Sequence, residues 1–242
     1  MSAIQILVIS LAGSDDRQKK VRAELDKTGL KWQFLDAIRG TALTEIPKEY
    51  KPEKVKNLLG FELTPNELGC FLSHKKAWQA CVDKNVPTIV FEDDFCLQPH
   101  FENVVRFLMG NQENWRAVRL QGLSNVPQEK IQEIDSLDGV TLVRNKADAV
   151  GATAYLLNPS AAQVLIDTSS EIYEPLDHFL EHHQKHQLEF LAISPYPVDI
   201  TGVQTTIADR PGRLPIKGWA KHKRSLLRTF DRWFSKNPWF PR

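Results

Sequence analysis

A short run of strand-forming residues, Pro87-Thr88-Ile89-Val90-Phe91, passes without a break into three consecutive carboxylates, Glu92-Asp93-Asp94. The β-branched and aromatic content predicts a buried strand. A buried strand that ends abruptly in acids constrains this chain more than any other feature. In an open α/β sheet, ligands bind outside the carboxyl ends of the strands, and acidic side chains on that rigid support suit a hard divalent cation facing a diphosphate. A solvated strand end has the same composition, so placement alone leaves both readings open. If the backbone stays extended, Glu92 and Asp94 point one way and Asp93 the other, because side chains alternate along a strand.

The flanking sequence supplies the rest of such a sheet. Residues 4–11 read as a first strand, and Ser14 with Asp15 and Asp16 offers a cap and dipole-matched acids for a helix reaching about residue 27. Gly29 closes that helix and residues 31–35 read as a second strand, a β-α-β opening that predicts an α/β fold. Residues 36–61, interrupted by Pro47 and Pro52, follow no regular pattern and read as a mobile excursion. Thr64-Pro65-Asn66-Glu67 is a capping box with proline at the first helical position, which predicts a helix over residues 65–84. Further helices are expected over 99–109, 158–167 and 175–186, and extended segments over 117–121, 139–144 and 188–193.

With 242 residues, 42% hydrophobic and 25% charged, the chain is long and apolar enough for one substantial core, and its composition is not that of a disordered protein. Cys70, Cys81 and Cys96 form neither a disulfide framework nor a paired metal-ligand spacing, and are expected to be free thiols in a reducing compartment. The apolar stretch at residues 4–12 is too short for a spanning helix, which adds to the expectation of a cytoplasmic location.

Charge is unevenly distributed. From Leu214 onward there are eight lysines and arginines against Asp231 alone, a net of +7 that leaves −6 for the remainder. In the same stretch Trp219, Leu226, Leu227, Phe230, Trp233 and Phe234 recur near helical spacing, while Arg224, Arg228 and Arg232 run four apart. This is the pattern of a basic amphipathic helix at an anionic membrane surface. Packing on the protein's own core and nucleic-acid binding compete with that reading, but the rest of the chain carries no nucleic-acid motif, and no nucleic-acid partner is expected. The chain accordingly divides into residues 1–213 and a basic aromatic segment, 214–242.

Two histidine-bearing segments have chemistry of their own. Ser73 and His74 lie on the helix that precedes the acidic strand, where His74 either faces a bound nucleotide or is a core histidine with a satisfied hydrogen bond. Asp177 stands near a predicted helix start, as a dipole-matched acid or a general base. His178, His182 and His186 are four apart and would share one helical face with some capacity for zinc; His-Glu-x-x-His is absent, and the later histidines read as solvated.

The run Leu63-Thr64-Pro65-Asn66-Glu67-Leu68-Gly69-Cys70-Phe71-Leu72-Ser73-His74, then Ala77-Trp78 and Val90-Phe91-Glu92-Asp93-Asp94, resembles glycosyltransferase family 25. That family includes bacterial lipooligosaccharide sugar transferases and collagen galactosyltransferases. Ile9-Ser10-Leu11 with Arg17, Gly151 to Pro159, and Pro175 to Leu180 agree with it, so the resemblance spans roughly residues 4 to 200. It implies a GT-A-like, Rossmann-type mixed sheet flanked by helices, a UDP-sugar donor, and a manganese or magnesium ion at the acidic motif. On that analogy Asp94 contacts the metal, and Glu92 or Asp93 binds metal, ribose or a coordinated water. Arg17, Ser73 and His74 lie near the donor, and Asp177 near the reacting sugar. Where the family commonly has asparagine before leucine in the first strand, this chain has Ser10.

The expectation is an inverting, metal-dependent transferase that moves a hexose, foremost galactose, onto a lipooligosaccharide or other lipid-linked saccharide acceptor. Its expected place is the inner face of a bacterial inner membrane, held peripherally by residues 214–242. The alternatives are a metal-dependent hydrolase or nucleotidyltransferase using the same carboxylates, and a non-catalytic membrane-associated partner in glycan assembly.

Overall fold

The computed structural model describes residues 3–122, 129–146 and 151–200. The basic segment at 214–242, and with it the expected amphipathic helix, lies outside the described residues.

The β-α-β opening forms as expected. Strand β1 (Gln5–Ser10) leads to helix α1 (Asp15–Leu25), a short 3-10 turn at Asp26–Thr28, and β2 (Gln33–Asp36) parallel to β1. Gly29 takes the left-handed conformation at φ 64°, which glycine adopts at little cost, and ends the helical segment. The expected Ser14 cap does not form: its side chain makes no capping hydrogen bond, and the acids Asp15 and Asp16 alone favour the helix start. The 36–61 stretch is ordered rather than an excursion, with a 3-10 turn at Gly40–Ala42 and α2 (Pro52–Leu59). Pro52, read as a breaker, sits in the first turn of α2, where its missing N–H would have no partner anyway.

Helix α3 (Pro65–Lys84) has the bounds that the capping box predicts, and both reciprocal bonds of the box are present. It is followed by β3 (Thr88–Glu92), β4 (Phe95–Leu97), α4 (Phe101–Gly110) and β5 (Ala117–Arg119). Next come β6 (Lys130–Leu137) and β7 (Val140–Asn145), joined through Asp138 and Gly139 at φ 51° and 78°. Two successive positive φ angles suit the tight twist of a hairpin. The described chain continues through β8 (Ala154–Leu157), α5 (Pro159–Thr168), α6 (Leu176–Glu181), α7 (His183–His186), β9 (Phe190–Ser194) and β10 (Val198–Ile200).

Eight strands make one mixed sheet in the order β2-β1-β3-β8-β5-β9-β7-β6, and β10 pairs separately with β4. Alternation along the strands divides the core between two faces. Leu7 and Ile9 of β1, Val90 of β3, and Tyr155 and Leu157 of β8 pack with α3, α5 and α6 around Phe71, Trp78, Leu165 and Phe179. Ile6, Val8, Ile89, Phe91 and Leu156 face the other way, onto Val21 and Leu25 of α1 and Val104 and Leu108 of α4. The α/β class and the helix-flanked mixed sheet are therefore as expected.

The chain runs from β1 to β2 on one side and then returns to place β3 on the other side of β1, parallel to it. The carboxyl ends of β1 and β3 thus lie together where the strand order reverses, the position at which open α/β sheets form a ligand crevice.

Candidate active site

A cleft of about 450 Å³ opens at that reversal, lined among others by Ser10, Arg17, Ile38, Arg39, Cys70, His74 and all three carboxylates. The acidic motif does not alternate as expected. β3 ends at Glu92 and the chain turns through Asp93 and Asp94, so extended-strand geometry stops one residue too early and Asp93 also lines the cleft.

Each carboxylate has a different environment. Asp93 accepts from Ser10 Oγ at 2.7 Å through one oxygen and from Arg17 Nη1 at 2.7 Å through the other. It ties the end of β1 and the first turns of α1 to the end of β3. Ser10 at the end of β1 supplies the hydroxyl for this tie.

Glu92 is held from α3 and from the bend just before β8. Its backbone N–H donates to the Thr153 carbonyl at 2.9 Å, Thr153 Oγ1 donates to Oε2 at 3.3 Å, and the Cys70 thiol lies 3.7 Å from Oε1. His74 Nε2 stands 3.4 Å from the same Oε1. Burial alone would raise the Glu92 carboxyl, yet His74, Cys70 and Thr153 facing it outweigh that and hold the group below its ordinary value. The Cys70 thiol is pushed well up, chiefly by burial and then by Glu92.

Asp94 lacks that compensation. Burial, then the Glu92 charge, push it up to about 6, against the opposing pull of Arg17. Such an acid is a site of stored repulsion that a cation relieves.

Ser73 and His74 both line the cleft, with Ser73 Oγ and His74 Nδ1 engaged by the protein. Ser73 Oγ donates to the Gly69 carbonyl at 2.6 Å and accepts from the Ile38 N–H at 2.7 Å, pinning residues 37–41 as one wall. That wall lies directly on α3: a Cβ on Gly69 would stand 2.5 Å from the Ile38 carbonyl oxygen, and one on Gly40 would stand 1.6 Å from that of Pro65. His74 is wholly buried, with Nδ1 2.7 Å from the Tyr155 hydroxyl. Cys70, His74 and Glu92 bring a sulfur, a nitrogen and an oxygen within 4.8 Å of one another.

Asp177 sits in the first turn of α6 and its Oδ1 accepts from the His178 N–H at 3.0 Å. It does not line the cleft, though its charge reaches Cys70 on the cleft floor. The expected single helix from Pro175 to His186 is two, broken at His182, so His178, His182 and His186 do not share one face. Nor are the later histidines uniformly solvated. His182 Nδ1 contacts Glu174 at 2.7 Å, and His186 is 2% exposed, its ring pushed down to about 4 mainly by burial. The zinc arrangement has no geometric basis.

Several contributors were not singled out from sequence. Thr153 just before β8 and Tyr155 within it reach the site, and residues 37–41 enter through the close approach at Gly40 and Gly69. A glycine one residue before the cysteine of an otherwise strong helix was the available signal for that approach.

The family model described as glycosyltransferase family 25 (LPS biosynthesis protein) matches residues 3–180. Lipooligosaccharide biosynthesis protein lic2B of Haemophilus influenzae is 28% identical over 170 residues, 65% of this chain and 60% of that protein. The human inactive glycosyltransferase 25 family member 3 is 28% identical over 187 residues, 73% of this chain and 31% of that protein. Procollagen galactosyltransferase 1-A of Xenopus laevis is 24% identical over 239 residues, 86% of this chain and 38% of its own. The chain thus spans from about a third to three fifths of the lengths of these relatives.

Proposed function

We propose, because the chain belongs to glycosyltransferase family 25, that it transfers a hexose from a nucleoside-diphosphate sugar, a UDP-sugar and foremost UDP-galactose, to a saccharide acceptor. The observation that carries this reading is the convergence of Glu92, Asp93, Asp94 and Arg17 on one cleft at the strand-order reversal.

The donor set fits a hard divalent cation, manganese or magnesium. Oxygen ligands are what such ions take, and three carboxylates facing the cleft with Arg17 as the cation bonded to one of them leave a net negative charge. Asp94, raised to about 6 by its surroundings, is the first ligand, and Glu92 adds a remaining lone pair. Bound there, the ion would offset charge on a departing diphosphate. Asp93 holds the two strand ends in place and keeps Arg17 at the cleft wall. Arg39, exposed at the same cleft, is positioned to meet phosphate oxygens.

Asp177 is the proposed base, accepting the proton of the acceptor hydroxyl as its oxygen attacks the anomeric carbon with inversion. Its charge bears on the thiol of Cys70, a residue that lines the cleft, which supports this placement. The acceptor is a lipooligosaccharide or related lipid-linked saccharide, a reading supported by the similarity to lic2B, a lipooligosaccharide biosynthesis protein. The basic aromatic composition of 214–242 supports peripheral attachment to the inner face of a bacterial inner membrane. The test is UDP release from a panel of UDP-sugars with manganese, with and without truncated oligosaccharide acceptors. A transferase shows strong acceptor dependence; equal release without acceptor indicates a hydrolase.

A further inference from the structure

Beneath the acidic motif lies a chain of three side chains that the reaction outlined above leaves unused. Trp78 Nε1 donates to the Tyr155 hydroxyl at 2.9 Å, that hydroxyl contacts His74 Nδ1 at 2.7 Å, and His74 Nε2 faces Glu92 Oε1 at 3.4 Å. Trp78, Tyr155 and His74 are each 0% exposed. Trp78 and His74 are four apart on α3, so both rings reach Tyr155 on β8 from one helical face.

The direction of this chain follows from donor inventory. An indole N–H only donates, so the Tyr155 oxygen is an acceptor at that bond. The phenol has one hydrogen, and burial keeps it in place by raising the group well above its ordinary value. Among the described contacts of Tyr155, His74 Nδ1 is the acceptor within reach. If Nδ1 were itself protonated, two donors would meet one phenol oxygen and the buried phenol hydrogen would be left without an acceptor, an unfavourable arrangement. Nδ1 is therefore the bare nitrogen, and the ring hydrogen sits on Nε2, the nitrogen nearest Glu92. The 3.4 Å separation is at the edge of hydrogen-bond range and its angle makes no formal bond. The N–H dipole nonetheless favours the carboxylate, and such contacts commonly tighten on ligand binding.

We propose that Trp78 and Tyr155 are positioning residues of the donor site, fixing His74 as the Nε2–H tautomer so that it anchors one oxygen of Glu92. This rests on the donor-site reading only for its effect on activity. It also decides the chemistry of Cys70, His74 and Glu92: with Nε2 carrying hydrogen, the trio presents two donors to a carboxylate and is not a transition-metal site, although its spacing resembles one.

The test is nitrogen-15 correlation spectroscopy of the full chain labelled at histidine, with the His74 signals identified by their loss in His74→Asn. The expected spectrum shows a pyrrole-type Nε2 and a pyridine-type Nδ1. Tyr155→Phe, which keeps the ring, should give mixed tautomers and about tenfold weaker binding of UDP with manganese, while its melting transition remains cooperative. Trp78→Phe should retain the tautomer and lose less. A protonated Nδ1 in the wild-type chain, or a Cys70-dependent loss of the Nε2 hydrogen on adding zinc alone at equimolar concentration, overturns the relay whatever UDP does. Unchanged tautomer and UDP affinity in Tyr155→Phe overturn it equally. Failure of the wild-type chain to bind UDP sinks the donor-site reading and leaves the tautomer result standing.

Discussion

Arg17 Nη1 lies 2.7 Å from Asp93 Oδ1, and this ion pair joins the start of α1 to the turn after β3 across the mouth of the cleft. It is partly shielded, with side-chain exposures of 21% and 10%, so removing one partner leaves the other poorly solvated. Asp93→Asn should lower stability by about 1–2 kcal/mol, a discounted figure for a pair that solvent still reaches. Arg17→Ala should in addition raise the Asp94 carboxyl further, since the Arg17 charge opposes that rise. Thermal melting of both variants, with carboxyl carbon-13 titration of Asp94 in the second, checks this.

Asp94 sets a pH dependence whose sign is fixed by its raised value. Ionised carboxylate is the form that ligates a cation, and protonation competes with it below about 6. Manganese affinity at pH 5 should be about tenfold weaker than at pH 7. Stability without metal runs the other way: a folded-state value above the unfolded 3.8 means that the folded chain holds the extra proton, so stability falls as pH rises from about 4 to about 6. Asp94→Asn should therefore melt higher than the wild type at pH 8, by about 1 kcal/mol after allowance for partial exposure, while losing metal-dependent turnover. Paired melting and metal-binding titrations at the two pH values test both signs.

Gly69→Ala separates local propensity from packing. In an exposed helix interior this change would stabilise by about 1 kcal/mol. Here the added carbon would stand 2.5 Å from the Ile38 carbonyl oxygen and 2.6 Å from the Gly40 nitrogen, so the cleft wall must move. We expect a loss of about 2–3 kcal/mol and a higher KM for the donor. A neutral or stabilising result by denaturant titration would show that the wall does not rest on α3 as described.

Asp177→Asn should abolish sugar transfer while preserving UDP affinity, because Asp177 does not line the donor cleft. Its fold should survive, since the His178 N–H can still be accepted by the amide oxygen. Substantial residual transfer would point instead to Glu174 or Glu181. Acceptor-dependent transfer and calorimetric UDP binding, measured on the same sample, distinguish these outcomes.

Legibility from sequence followed the range of the interactions. The α3 bounds were readable because a capping box is local, and Thr64 and Glu67 carry it within one turn. The β1 and β3 strands were readable from composition. The orientation of Asp93 was not, because it depends on the chain leaving the extended conformation one residue earlier than alternation assumes. Residues 36–61 carry little local signal of their order, because Gly40 makes its contact with Pro65, far outside any local window. Asp138-Gly139 is a hairpin signal in the sequence, and it joins β6 to β7. The break at His182 had no proline or glycine to announce it, and with it went the expected histidine face.

The cleft beside Asp94 is the proposed cation and diphosphate site of a sugar transferase. The most direct measurement is UDP release from UDP-galactose with manganese, with and without a truncated lipooligosaccharide acceptor, by the wild-type chain and Asp94→Ala, with products weighed by mass spectrometry. The predicted result is acceptor-dependent release with a hexose added to the acceptor, reduced at least a hundredfold in the variant. Equal turnover and unchanged metal dependence in Asp94→Ala would contradict it.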